Sequence, residues 1–251
     1  MTFPLHGRTI LVAGASSGIG AGFSRAIAAA GGRVVLGARR LDRTQALAEE
    51  IGEAALAVQL DVTDEASVAA AFDAAEARFG TVHGVVANAG IGTGGRATDV
   101  PVDGLRAVLD TNLLGSYLVS REGARRLIAS GSRERGDGRI VLIGSITAQQ
   151  NGTGDALYAA TKAGLAHLGR QFAREWIRQG INVNTLQPGW IPTEINAEWF
   201  ASARGRAEIE SLYRGRLLDA DSLDAMLLYL LSDASRQVTG STFTIDDGQS
   251  L

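Results

Sequence analysis

The chain has 251 residues, 45% of them apolar and 20% charged, enough for one large α/β domain or two small ones around a sizeable core. A net charge of −3 argues against a general nucleic-acid or acidic-membrane surface. The absence of cysteine excludes disulfides and thiolate metal sites, and the three histidines, His6, His83 and His167, are too widely spaced to suggest a metal site.

Met1 to Arg8 carries no signal-peptide pattern, and the chain has no apolar run of about 20 residues, so a cytoplasmic protein with no membrane span is expected. Arg8 to Ala13 reads as a short buried strand. Glycines come next at Gly14, Gly18 and Gly20, then a helical run from Ala21 to Ala30. Arg33 to Ala38 is a second strand, Leu41 to Ile51 a helix, and Ala54 to Leu60 a third strand. A helix capped by Thr63 or Asp64 runs to about Phe79. Val82 to Ala87 is a fourth strand, and Val102 to about Ser130 a long helix. After the polar turn Gly131 to Gly138 come a fifth strand, Arg139 to Ile143, a helix from Ala156 to Gln179, and a sixth strand, Ile181 to Leu186. Trp190 to Arg216 is irregular or short-helical. A helix from Asp219 to Leu231 and a strand from Thr242 to Ile245 close the chain. The strands are continuous apolar runs that alternate with helices, which predicts a mostly parallel sheet with helices on both faces. No linker or internal repeat divides the chain, so residues 1–251 are expected to form a single doubly wound, Rossmann-type domain.

Lys162 is the only lysine, and it lies four residues after Tyr158. In a helix the two share a face, one turn apart. A free phenol titrates near pH ~10 and is a poor base at neutral pH. A cation about 4–5 Å away at an effective dielectric of about 20 contributes roughly 3–4 kcal/mol, enough to lower the phenol by about 2–3 pKa units. The pair therefore points to proton transfer.

In a doubly wound fold, ligands bind beyond the carboxyl ends of the strands. Gly14, Ser16, Ser17, Gly18, Ile19 and Gly20 form a glycine-rich turn between the first strand and its helix, where backbone N–H groups can approach a pyrophosphate. At the end of the second strand stand Arg39 and Arg40, with no carboxylate to accept from a ribose 2′-OH. Two guanidiniums suit a 2′-phosphate, so NADP(H) is favoured over NAD(H), which remains open. Asp61-Val62, after the third strand, is placed for an adenine edge.

Taken together, these residues resemble the short-chain dehydrogenase/reductase family in its single-domain form, over Arg8 to Gly248. The matching motifs are Gly14-xxx-Gly18-Ile19-Gly20, Asp61-Val62, Asn88-Ala89-Gly90, Asn112, Ser145, Tyr158-xxx-Lys162, and Pro188-Gly189 with Thr193. The resemblance implies an NADP(H)-dependent oxidoreductase acting on a ketone or secondary alcohol. Tyr158 would be the general acid–base, and Lys162 would hold the nicotinamide ribose and depress the phenol. Ser145 would hydrogen-bond the reacting oxygen. Asn112 would kink its helix and hold a water between Lys162 and solvent. Asn88, Ala89 and Gly90 would line the cofactor, and Ile191 and Thr193 would meet its carboxamide. A homotetramer or homodimer is implied, with the helices around 102–130 and 156–179 as candidate interfaces. Three departures stand out: Ala13 for a common threonine, Ala87 for a common asparagine, and Asp246-Asp247-Gly248 where a glycine pair is frequent.

The substrate pocket is expected between Thr147–Asp155, Gly92–Arg96 and a lid at about 190–216 that carries Trp190, Ile195, Trp199 and Phe200, rings suited to a hydrophobic or cyclic ketone. A permanently packed helix pair is the alternative reading of that lid. Competing functions are a 3-oxoacyl-thioester reductase, a non-catalytic NADP(H)-binding regulator, and a dehalogenase-type lyase. The complete Ser-Tyr-Lys set disfavours the second, and Lys162 disfavours the third.

Overall fold

The structure, a computed structural model, describes residues 3–194 and 196–251. Strand β1 (Thr9–Ala13) leads through the glycine turn into α1 (Gly18–Ala29). Then come β2 (Arg33–Ala38), α2 (Leu41–Ile51), β3 (Ala55–Gln59), α3 (Glu65–Phe79) and β4 (Gly84–Ala87). The second half contains α4 (Val102–Val108), α5 (Ser116–Ala129), α6 (Ser132–Arg135), β5 (Gly138–Ile143), α7 (Ala156–Trp176), β6 (Ile181–Pro188), α8 (Ala197–Ala201), α9 (Ala203–Ser211), α10 (Asp224–Leu231) and β7 (Thr242–Ile245).

All seven strands are parallel, in the order β3-β2-β1-β4-β5-β6-β7. The chain winds outward from β1 to β3, returns, and winds the other way from β4. The crevice between the loops after β1 and β4 is the switch point, where such sheets take their ligands. Alternation along β1 feeds both layers: Leu11 and Ala13 join Phe72, Val85, Leu127 and Phe172, while Ile10 and Val12 join Phe23, Ile27, Leu227 and Leu230. This two-sided burial is why the strands read as unbroken apolar runs.

The expected helix over 102–130 is real but not uniform. Leu109–Gly115 is a π-helical segment joining α4 to α5, the kind of interruption found most often at functional sites. The Asp64 side chain caps α3 by accepting from Ala66 N at 3.0 Å. Helix α1 starts at Gly18 rather than Ala21, because the glycine turn itself supplies the first helical turn. The polar turn after residue 130 holds the short α6 between left-handed Gly131 and Gly136. The helix expected from Asp219 begins only at Asp224, since Ser222 N and Oγ turn back to Asp219 O. Tyr117, Trp176 and Tyr229 are packing residues, in ring contact with Phe172, Phe172 and Phe3.

At the amino end of the sheet Arg139 is 1% exposed. Its Nε donates to Ser232 O at 3.2 Å, and its Nη1 to Gly136 O and Gly138 O at 3.0 and 2.9 Å. Asp233, 83% exposed at its side chain, pairs with Arg8 and stands 3.8 Å from Arg139 Nη2. Among the described residues no helix is long and apolar enough to cross a membrane.

Candidate active site

The glycine turn and the loop after β4 press together at the switch point. Gly14 has φ +79°, and a Cβ there would lie 2.9 Å from Ala89 Cα. A Cβ on Gly20 would lie 2.2 Å from Gly14 O and 2.6 Å from Asn88 Nδ2. Only glycine fits either position. Asn88 Nδ2 donates to Ala13 O and Gly14 O at 3.3 and 3.2 Å, so the two loops hold each other. Ser17 is extended at the N-cap of α1, yet its side chain makes no capping bond. The first N–H groups of α1 are thus left for another acceptor. A backbone cradle with glycine at Gly14, Gly18 and Gly20, at the start of a helix, fits a pyrophosphate. The side chain of Ile19 is partly buried and packs against the core beside α1.

The Ser17 hydroxyl instead accepts from Arg40 Nη2 at 2.8 Å. The Ser16 hydroxyl accepts from Arg40 Nη2 and Nε at 2.9 and 3.2 Å. This guanidinium therefore lies against the glycine turn, while Arg39 is exposed nearby. Asp61 is occupied locally: its Oδ1 accepts from Thr63 N and Oγ1, bonds that hold its pKa below the usual carboxylate value. Val62 is a core residue, and a Cβ on Gly115 would lie 2.5 Å from its Cγ2. The pair expected to meet an adenine edge thus offers that edge only the surface these local contacts leave free.

The reactive end is built from β5, α7 and the π segment. Lys162 is buried, and its Nζ donates to Ile143 O, at the end of β5, at 2.8 Å. The same nitrogen lies 5.4 Å from the centre of the Tyr158 ring, as the four-residue spacing predicts. Ser145 is buried just past β5, and its Oγ accepts from Thr147 Oγ1 at 2.9 Å and Thr147 N at 3.2 Å. Fully buried Asn112 clamps the loop after β4, accepting from Ile91 N at 2.8 Å and donating to Ile91 O at 2.9 Å. It also donates to Thr161 Oγ1 at 3.3 Å, one residue before Lys162. In the π segment Asn112 O accepts from Ser116 Oγ at 2.8 Å. A Cβ on Gly90 would stand 3.5 Å from both Asn112 Oδ1 and Lys162 Nζ. Gly90 is where the loop after β4, the π segment and α7 meet.

The charge balance differs from the sequence expectation. Burial pushes the Tyr158 phenol up to about 12; the Ser145 hydroxyl opposes this and the Asp155 carboxylate adds to it. Burial also pushes Lys162 down to about 8. In the free protein, desolvation outweighs the lowering of the phenol expected from an isolated ammonium.

Beyond β6, Gly189 N donates to Ile245 O at 2.9 Å, and a Cβ on Gly189 would lie 2.5 Å from Gln249 Oε1. Pro188 is buried at the end of β6, and the Ile191 side chain is buried in the core. Thr193 N donates to Asn196 Oδ1 at 2.7 Å, and Asn196 Nδ2 donates to Ile191 O at 2.9 Å. A Cβ on Gly18 would stand 3.3 Å from Thr193 Cγ2, so this segment lies against the glycine turn. Trp190, Trp199 and Phe200 form one cluster with ring centres 5.0 to 6.1 Å apart. Ile195 lies outside the described residues. Asp247, in the motif where a glycine pair is frequent, takes φ +52° and pairs with Arg214 and Arg216 from the end of the same segment. The departure is thus used as an ionic tie.

The roles of three site residues escaped the sequence reading. Asp155, one helical turn before Tyr158, is half-buried, and that burial raises its pKa; its signal was the three-residue spacing. Arg43 Nη1 pairs with Glu194 at 2.8 Å, and Arg40 Nη1 reaches the same carboxylate at 3.4 Å. Arg43 was legible as the i+3 neighbour of Arg40, but its pairing with Glu194 spans 151 residues and had no local signal.

Comparison with known proteins agrees with this arrangement. A family model described as enoyl-(acyl carrier protein) reductase matches residues 14–250. A 3beta-hydroxysteroid dehydrogenase 1 of Eggerthella lenta is 36% identical over 252 residues, covering 98% of this chain and 95% of that protein. A gluconate 5-dehydrogenase from Burkholderia cenocepacia, solved in complex with NADP and tartrate, superimposes with a TM-score of 0.92 at 33% identity, over 99% of this chain and 97% of that one. A 3-ketoacyl-(acyl-carrier-protein) reductase from Brucella melitensis, complexed with NADH, gives 0.90 at 31%, over 98% and 99%. With a relative above 30% identity along nearly the whole chain, and the parallel sheet ending in these motifs, the chain belongs to the short-chain dehydrogenase/reductase family of oxidoreductases.

Proposed function

We propose that the protein is an NADP(H)-dependent oxidoreductase that interconverts a ketone and a secondary alcohol, with Tyr158 as general acid–base. The observation that carries this reading is the meeting of Lys162, which stands beside the Tyr158 ring, and Asn112 at Gly90, next to the glycine turn. When bound, the cofactor supplies or accepts the hydride. Gly14, Gly18, Gly20 and the Asn88–Gly90 loop would hold its pyrophosphate and ribose, with Thr193, Ile191 and the Pro188–Gly189 turn toward the carboxamide. Ser145 stabilises the charge that develops on the reacting oxygen. Tyr158 delivers the proton to that oxygen, and its raised pKa keeps the phenol protonated at neutral pH, ready to act as the acid in reduction. Lys162 carries the neighbouring positive charge. Asn112, pinned to Ile91 and Thr161, keeps the helix geometry that sets the ammonium.

The Trp190–Trp199–Phe200 cluster supports a hydrophobic or cyclic ketone as substrate. A 3-oxoacyl thioester is the second reading, favoured by the likeness to the Brucella melitensis reductase. For cofactor choice, Arg40 against the Ser16 and Ser17 hydroxyls supports a 2′-phosphate. Self-association as a dimer or tetramer is proposed through an apolar groove of about 440 Å³ between the π segment and α7, whose lining includes Leu114 and Tyr117; a monomer by light scattering would remove it.

Tyr158→Phe tests the mechanism. Turnover on a panel of ketones should fall at least ~100-fold, while NADPH affinity by fluorescence titration stays within about twofold. Retained turnover would eliminate Tyr158 as the acid.

A further inference from the structure

We propose that Glu194 is an internal competitor for the 2′-phosphate site and thereby a determinant of cofactor choice. The inference rests on the reading of Arg40 as the 2′-phosphate partner.

The Glu194 carboxylate sits where an incoming anion is expected. Both its oxygens lie 2.8 Å from Arg43 Nη1, and one lies 3.4 Å from Arg40 Nη1. The other edge of Arg40 is held by the Ser16 and Ser17 hydroxyls. These cations hold the carboxyl of Glu194 below its usual pKa, Arg43 most strongly. Glu194 is also aimed by its neighbours. The Thr193–Asn196–Ile191 hydrogen bonds fix the backbone before it, and Thr193 lies against Gly18. The carboxylate therefore reaches from the segment after β6 to the cations at the start of α2.

A 2′-phosphate carries close to two negative charges near neutral pH, and it needs the guanidinium edges that Glu194 holds. Binding NADP(H) must displace the carboxylate or bring two anions together. A 2′-hydroxyl adds no charge, so NAD(H) meets no such conflict. Glu194 thus weakens NADP(H) selectively, and the chain discriminates less sharply than its arginines alone would.

The pair is exposed, with side-chain exposures of 43% for Arg43 and 57% for Glu194, so the effect is modest and screened by salt. Dissociation constants of NADPH and NADH, read by fluorescence or calorimetry at low ionic strength, test it in wild type, Glu194→Gln and Arg40→Ala. Glu194→Gln should tighten NADPH roughly 2–5-fold and leave NADH within experimental scatter, with the gain shrinking as salt is added. NADPH affinity that is unchanged or weaker in Glu194→Gln overturns the role of Glu194. If Arg40→Ala still weakens NADPH selectively in that case, the cofactor reading itself survives. An Arg40→Ala protein whose NADPH-to-NADH ratio matches wild type removes both.

Discussion

A buried cation stands at each end of the sheet, and the two are held in different ways. At the amino end, Arg139 gives three hydrogen bonds to backbone carbonyls and has Asp233 beyond them. Burial and the neighbouring Arg8 lower its pKa to about 10, yet it stays charged throughout the physiological range. At the carboxyl end, Lys162 has one carbonyl, Ile143 O, and burial brings it to about 8. One charge is fixed as structure. The other is poised within reach of titration, beside the phenol proposed to move a proton. The difference comes from the number of acceptors each cation is given and from the chemistry of the head group.

Removing each charge should break the comparison open. Arg139→Met leaves several carbonyls without a donor and should destabilise the fold by roughly 3–5 kcal/mol in urea denaturation. Lys162→Met should lose turnover but be at least as stable as wild type, because a desolvated charge is deleted. Equal losses of stability would erase the distinction.

A pH series sharpens it at smaller scale. Between pH 8 and 10 the unfolded chain keeps the Lys162 proton while the folded protein has released it. The unfolded state binds more protons, so this group makes stability rise with pH, by up to about 1.4 kcal/mol per pH unit. Wild type minus Lys162→Met should show that slope, and a flat difference would contradict the placement of this ammonium. Tyr158, raised to about 12, acts in the opposite sense only above pH ~10, where the folded state holds the extra proton.

The smallest effect is expected from Asp233→Asn. Its carboxylate is mostly in water, so the loss should stay below about 1 kcal/mol. A loss rivalling that of Arg139→Met would mean that the ion pair, not the carbonyl cage, holds the arginine.

The sheet was legible because most strands are largely apolar runs and the first turn carries glycines that its geometry requires, as at Gly14. The Tyr158–Lys162 pairing was legible because helical spacing is local. The phenol's pKa was not, since the burial that raises it comes from elements remote in sequence. The position of Asp61 after the third strand was legible, but the bonds from Thr63 to its Oδ1 were not. Glu194 reaches Arg43 only through the tertiary fold, and the irregularity at Leu109–Gly115 was legible only through the resemblance that put a kink at Asn112, since its composition is that of an ordinary helical run.

That segment sets a constraint on the evolution of chain length. A π turn holds one residue more than the α turn it replaces, so it offsets the side chains within it while the flanking helices keep their phase. The stripe Leu118, Val119, Gly123 and Leu127 faces the sheet in that phase. A single-residue deletion between 109 and 115 closes the segment to ordinary α-helix: the packing of α5 is kept and the Asn112 clamp on Ile91 is lost.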